Sequence, residues 1–247
     1  MGKVNSIGVV FSSKKNEIEI KPYIEHLNAT VGCEAHIYYI FNPNGMSLSR
    51  IYGDAIDSNT IAAQKEVLVF IHDDIEFLRS GWGAEILRLF NEHEDYGIIG
   101  VAGSAQFDEN AMWWNYDKKY GQVLHKSEGK SWLTAFSPLL KEDLKEVAVI
   151  DGLFMAVHRN RIGANFDKNL EGFDFYDINF CLANLIEGRS KIGVTTNIRI
   201  AHKSVGKLKD SWYTNKDIIN NRYEKYYPID ITKNKDFKNK RKWNWKK

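Results

Sequence analysis

The stretch VLVFIHDDIEF, residues 67–77, runs five apolar residues straight into His72, Asp73 and Asp74. Adjacent carboxylates repel each other, and the arrangement becomes favourable when a cation neutralises them. Hard divalent ions such as Mg2+ and Mn2+ take carboxylate and phosphate oxygens. A metal held here could therefore clamp a diphosphate. The alternative is that Asp73 and Asp74 cap the next turn and face water, and the pair alone leaves both readings open. No G-x-x-x-x-G-K-[ST] occurs, and GIIGVAG (97–103) is not a dinucleotide fingerprint. A phosphate-bearing ligand would depend on metal and scattered donors.

The elements that must position these residues follow a regular order. IGVVFSS (7–13) reads as a buried strand leading into a small polar loop, and EIKPYIEHLN (19–28) as a helix. EAHIYYIFNPNG (34–45) is a strand closed by Asn, Pro and Gly. SLSRIYGDAIDSN (47–59) has helical spacing, and EVLVFIHDD (66–74) is a third strand. GWGAEILRLFNEH (81–93) carries a helical stripe at Trp82, Ile86, Leu89 and Phe90, and YGIIGVAGSA (96–105) is a fourth strand. Val/Ile/Leu runs alternating with amphipathic helices predict a mostly parallel, Rossmann-like sheet flanked by helices. Such a sheet binds ligands at the carboxyl ends of its strands, where SSKKN, NPNG and HDD all lie.

Beyond residue 105 the pattern changes. AMWWNYDKKYGQVLHKSEGKSW (111–132) is aromatic and polar without a clean period. EVAVIDGLFMAVHR (146–159) reads as one strand interrupted at Asp151-Gly152, FYDINFCLANLIEG (175–188) as a short helix ending at Gly188, and KIGVTTNIRIAHKS (191–204) as a strand. The remainder reads as helical and irregular.

The chain has 247 residues, 43% hydrophobic, enough for one large core or two small ones. Lys plus Arg number 34 against 32 for Asp plus Glu, a net charge of +2 that demands no nucleic acid partner. Cys33 and Cys181 make neither a disulfide framework nor a Cys-based zinc site, so a reducing cytoplasm is the expected home. No apolar run approaches the roughly 20 residues that span a bilayer, and the N-terminus lacks a signal-peptide pattern. MGKVNS fits the loose myristoylation pattern, but SIGVVF begins at once and reads as a core strand.

VLVFIHDDIEF, VIDGLFMAVHR, GFDFYDINFCL and IAHKSVG occur in that order with sensible gaps. In this the chain resembles the family 2 glycosyltransferases of GT-A fold, in the bacterial glycosyltransferase-like branch with a His-x-Asp metal motif. The resemblance covers roughly residues 5–206, leaving 207–247 as a helical, irregular and basic C-terminal extension. It implies a metal-dependent, inverting hexosyltransferase with a nucleotide-sugar donor, UDP being the commonest, and Mn2+ or Mg2+ as cofactor. Asp74 would be a metal ligand, completed downstream by His202, and His72 would pack or hydrogen-bond. Asp73, Ser12 and Ser13 would meet the nucleotide, with Asn42 and Asn44 standing where relatives carry a base-reading acid. Asp151 and Gly152 would line the donor sugar, although a plain bulge also explains Gly152. Asp177 would be the catalytic base, although Asp also favours a helix N-cap. Asp174 would face the acceptor, a polysaccharide, lipid-linked oligosaccharide or glycoprotein, and the pair Trp113 and Trp114 would either form a platform for an acceptor sugar or anchor the core or a loop.

Two other readings compete. A sugar-phosphate nucleotidyltransferase usually has a Gly-rich loop after its first strand, and FSSKKNE lacks one. A carbohydrate-binding or inactive homologue would use the Trp residues for glycan and the acids structurally. Neither Q-x-x-R-W nor the membrane helices of processive relatives occur, which argues for adding one sugar or a few. The tail KNKDFKNKRKWNWKK (233–247) reads either as a solvated basic segment or as a peripheral contact with anionic lipid at the inner membrane face.

Overall fold

The structure is a computed structural model that describes residues 3–204, 208 and 210–233. Almost all of the basic tail therefore lies outside the described residues. Along the chain come β1 (Ser6–Ser13), α1 (Glu17–Thr30), β2 (Glu34–Phe41), α2 (Leu48–Asp57), β3 (Val67–Ile71), β4 (Ile75–Phe77), α3 (Trp82–Glu92), β5 (Tyr96–Gly100) and β6 (Ala102–Ser104). There follow β7 (Gln106–Phe107), β8 (Lys119–Ser127), β9 (Lys130–Ala135), β10 (Lys145–Val147), β11 (Val149–Ile150), β12 (Phe154–His158), α4 (Tyr176–Glu187), β13 (Lys191–Val194), β14 (Ile200–His202), α5 (Asp210–Tyr223) and β15 (Ile229–Asp230).

The main sheet has the order β10-β13-β5-β12-β3-β1-β2 among the described residues. Its strands β1, β2, β3, β5 and β13 run parallel, while β12 and β10 run against them. Every residue of β3, β5 and β12 is buried. Such continuous apolar runs suit central strands covered by helices. Helix α1 starts in a capping box between Asn16 and Glu19. Helix α3 buries Ile86, Leu89 and Phe90, the stripe visible in its sequence.

A second sheet, β11-β6-β8-β14-β4 with β9 paired to β8, corrects the sequence reading in three places. YGIIGVAGSA is two strands: β5 ends in the main sheet, and after Val101 the chain enters the second sheet as β6. EVAVIDGLFMAVHR divides into three, with β10 at the edge of the main sheet, β11 in the second and β12 back in the main sheet. KIGVTTNIRIAHKS splits likewise into β13 and β14. The crossing residues Val101 and Ala148 are fully buried, so no change in hydrophobicity marks the switch. The aperiodic stretch 111–132 holds β8 and the start of β9, a hairpin turning at Glu128-Gly129.

Helix α5 is tied to the segment ahead of α4. Asn215 donates to the carbonyls of Glu171 (2.6 Å) and Asp174 (3.1 Å), and Arg222 pairs with Asp167 at 2.8 Å. Cys33 and Cys181 are free thiols. No helix among the described residues is long and apolar enough to cross a membrane.

Gly121 sits where β8 meets β6, at φ +107°, and a Cβ there would lie 2.0 Å from the Val101 carbonyl oxygen. Gly121→Ala should therefore cost at least about 2 kcal/mol through strain and overpacking. A thermal melt should show the midpoint several degrees lower, and equal midpoints would contradict this packing.

Candidate active site

Strands β1, β2 and β3 are parallel neighbours, so Ser13, Asn42 and His72 emerge at one edge of the sheet. The Ser13 hydroxyl donates to the Asp73 carboxylate and accepts from Lys15 N at 3.1 Å. Ser12 is half-buried beside it, and Asn44 is exposed at the tip of the β2 loop. The Asn42 amide is engaged within its own turn, accepting from Met46 N (2.8 Å) and donating to Met46 O (3.0 Å). It shapes the loop, and Asn44 is the asparagine presented outward.

Three contacts hold the backbone around His72. Tyr52 Oη donates to Ile71 O (3.2 Å), Tyr23 Oη donates to His72 O (2.7 Å), and His72 N donates to Leu153 O (3.2 Å). The chain then turns directly into β4, which pairs antiparallel with β14 and sets His202 opposite Ile75. Lys203 N donates to Asp74 O at 2.9 Å, and His202 Nε2 stands 3.3 Å from Asp74 Oδ1. Ligand atoms of His72, Asp74 and His202 lie within 4.8 Å of one another. His72 thus stands with Asp74 and His202, the two residues expected from sequence to hold a metal.

The donor set fits a divalent cation. Asp74 Oδ1 is buried and has no hydrogen-bond partner of acceptable geometry among the described residues. Burial alone would raise the Asp74 carboxyl, but the His202 imidazole outweighs it and holds the group well below the usual range. Burial likewise works against a charged His202, yet Asp74 outweighs it and the imidazole is raised. Burial lowers His72, favouring the neutral ring that ligates metals. One carboxylate and two imidazoles suit Mn2+ and its transition-metal neighbours better than Mg2+, which prefers oxygens and water. A second acidic group, Glu92, His93 and Asp143, differs: the Arg88 guanidinium forks onto Asp143 (2.9 Å to each oxygen) and supplies the compensating charge.

Helix α4 closes the other side. It starts without a side-chain cap at Phe175, whose φ of 66° places a non-glycine residue in the left-handed region. Asp177 is the helix's second residue and does not cap it. Its Oδ2 accepts from Gly152 N (2.7 Å) and its Oδ1 from Ile178 N (2.8 Å). Tyr176, the residue before it, is buried and places Oη 2.8 Å from His72 Nε2. A Cβ at Gly152 would lie 2.2 Å from that hydroxyl and 3.0 Å from Asp177 Cβ. Close packing of α4 therefore requires this glycine. Asp151 stands beside it, its Oδ1 accepting from Leu153 N at 3.0 Å.

Between these walls opens a cleft of about 830 Å³ whose lining includes His72, Asp151, Asp177 and His202. The His72–Asp74 turn touches both regions, since Asp73 meets Ser13 while His72 faces the cleft. A glycosyltransferase-like family matches residues 8–228. The chain belongs to that family. It is a family 2-like glycosyltransferase, and its mixed sheet flanked by helices is a GT-A architecture. No curated protein matches it. Among solved structures, the crystal structure titled A197 from STIV is similar over 84% of this chain and 87% of that one, at 11% identity and a TM-score of 0.44, too slight a likeness to bear on the site.

In this glycosyltransferase the far cleft wall is aromatic. Trp113 is 3% exposed and packs on Phe136 (4.8 Å), whereas Trp114 is 36% exposed. The expected tryptophan pair is therefore divided between core and cleft surface. Trp132, unremarked in the sequence, is 41% exposed and stacked on His125 at 5.3 Å. His125 and Trp132 are cross-strand partners of the β8–β9 hairpin, and the His125 ring lies 6.0 Å from that of His202. The signal was the alternation of Trp132 and Thr134 along β9, which puts both side chains on one face. Asp174 lies in the cleft lining and accepts from Ser211 Oγ at 2.6 Å.

Burial, reinforced by the Asp151 charge, pushes the Asp177 carboxyl up to about 7, although backbone N–H groups pull the other way. Asp151→Asn should move the Asp177 pKa down, toward the ordinary carboxylate value. A carbon-13 NMR titration of labelled Asp side chains reads both proteins, and an Asp177 that titrates near 4 in each contradicts the description.

Proposed function

We propose that this glycosyltransferase is metal-dependent and inverting, and moves a sugar from a nucleotide-sugar to a hydroxyl of a glycan, lipid-linked or protein-linked acceptor. A UDP-sugar is the first donor to test. The observation that carries the reading is the buried Asp74 Oδ1, without a hydrogen bond, beside two imidazoles. His72, Asp74 and His202 would hold the cation, with Mn2+ favoured over Mg2+ by the two nitrogen donors. Bound there, a divalent ion acts as a Lewis acid toward the departing diphosphate.

The chain's own residues supply the rest. Ser12, Ser13, Asn44 and Asp73 gather at the ends of β1, β2 and β3, where the nucleotide would lie, with Asn42 holding the β2 loop in shape. Asp151 and the Gly152 backbone face the donor sugar. Asp177 takes the proton of the acceptor hydroxyl. Each of its oxygens accepts one backbone N–H, and a carboxylate oxygen has a second lone pair to spare. A base with pKa near the working pH is well matched to this task. With Asp177 on one face of the sugar and the diphosphate leaving from the other, attack would be in line and would invert the anomeric centre. Trp114 and Trp132 offer exposed ring faces to the C–H side of an acceptor pyranose, over Trp113, while Asp174 sits in the cleft lining between Ser211 and the acceptor space.

The aromatic wall also suits a module that binds glycan without transferring it, and one comparison separates the two. Titrating UDP with and without Mn2+ should give binding that needs the metal, whereas glycan binding indifferent to both would favour the module. Asp177→Asn should lower turnover by roughly 10² to 10⁴ while leaving Mn2+–UDP affinity in place. Near-normal turnover in that variant would remove Asp177 from its role. Because the carboxyl must be ionised to accept a proton, wild-type turnover should rise as pH increases through about 7. Trp132→Ala should raise the acceptor KM several-fold, as expected for losing about 1 kcal/mol of ring contact. An unchanged KM would exclude Trp132 from the acceptor site.

A further inference from the structure

The metal side and the base side of the site meet at one hydroxyl group. Tyr176 opens α4 immediately before Asp177, and its Oη lies 2.8 Å from Nε2 of His72, a residue 104 positions earlier. The ring has little freedom. It meets Tyr52 edge-on at 5.6 Å, lies 6.4 Å from the Phe166 ring, and fills the space left by the missing side chain of Gly152. Tyr176 is 3% exposed, so the ring is enclosed where it borders the cleft.

An imidazole with Nε2 engaged in a hydrogen bond has only the Nδ1 lone pair left for a cation. Metal-ligating histidines generally donate their other ring N–H to an acceptor, which fixes both tautomer and ring orientation. That acceptor is most often a carboxylate, a backbone carbonyl or water. Here a phenol oxygen stands in the position, and it is carried by the helix that carries Asp177.

We propose that Tyr176 is a positioning residue for the metal site: its oxygen accepts the Nε2 proton of His72 and holds that ring with the Nδ1 lone pair turned to the cation. This rests on His72, Asp74 and His202 being the cation ligands. It follows that cation affinity depends on the seating of α4. By reciprocity, a bound cation steadies the helix that presents Asp177. The glycosyltransferase thereby links a filled metal site to a correctly placed base without direct contact between the two.

The test uses the full-length protein and Mn2+ alone, with no nucleotide, its affinity read from the electron paramagnetic resonance signal of free Mn2+. Tyr176→Phe removes only the hydroxyl and should weaken Mn2+ binding by about 10- to 100-fold. The control, Tyr116→Phe, removes a half-buried hydroxyl that donates to Asp108. It should leave the Mn2+ affinity within about 3-fold of wild type, since that hydroxyl touches none of His72, Asp74 and His202. Nitrogen-15 NMR of histidine-labelled, metal-free protein should show His72 protonated at Nε2. Equal Mn2+ affinity in wild type and Tyr176→Phe overturns the proposal while leaving the cation reading standing. Failure of the wild type to bind Mn2+ overturns the cation reading, and the proposal with it. Should Tyr176→Phe not fold, the NMR assignment decides: a wild-type His72 protonated at Nδ1 overturns the proposal.

Discussion

A carboxylate oxygen enclosed beside imidazoles is the constraint around which this site is built. A buried charge without partners is strongly unfavourable, and proteins meet it with a counter-charge, a hydrogen-bonding shell or a metal. Asp74 Oδ1 makes no hydrogen bond of acceptable geometry among the described residues, His202 Nε2 stands 3.3 Å from it, and His202 and Ser204 together hold the carboxyl low. Without a cation, a proton on His202 supplies the compensation. With one, the two histidines and the aspartate can all turn their ligand atoms inward. The fold makes this crowding unavoidable, because β3 runs through a tight turn into β4, and β4 fixes β14 and its terminal His202 against it.

The opposite wall runs on the same electrostatics with the sign of the outcome reversed. Asp177 is raised toward neutrality because burial and Asp151 oppose its charge. Asp74 is lowered because His202 answers its charge. Asp74 and Asp177 are thus driven apart in acidity, one held as an anion and one poised to exchange a proton. Under the proposed function, such divergence would let one site serve a metal-neutralised leaving group and a proton acceptor together.

The first half of the fold was legible because its physics is local. Val/Ile/Leu runs alternating with one-sided helices leave little choice but a covered parallel sheet. The second sheet was hidden because a buried strand that leaves one sheet for another keeps its apolar character through the bend, as at Val101 and Ala148. In the site, the approach of His202 to Asp74 could be expected from the carboxylate pair and the order of the motifs. The contact of His72 with Tyr176 could not, since the two are 104 residues apart and Tyr176 looks like ordinary aromatic core. Asn42 misled in the other direction. It looks like a donor awaiting a ligand, yet Asn at a strand end readily closes a turn on its own backbone, as it does with Met46. Trp132 and His125 were obscured by the half-exposed hairpin, whose polar residues blur the alternation that marks a strand.

The most direct measurement of the central claim is an anomalous diffraction experiment at the manganese edge, on crystals soaked with Mn2+ and UDP. A manganese peak is expected among His72, Asp74 and His202, with the nucleotide diphosphate on its open side and the nucleoside toward Ser12, Ser13 and Asn44. A nucleotide bound there with no peak beside Asp74, or manganese found only at Glu92, His93 and Asp143, would contradict it.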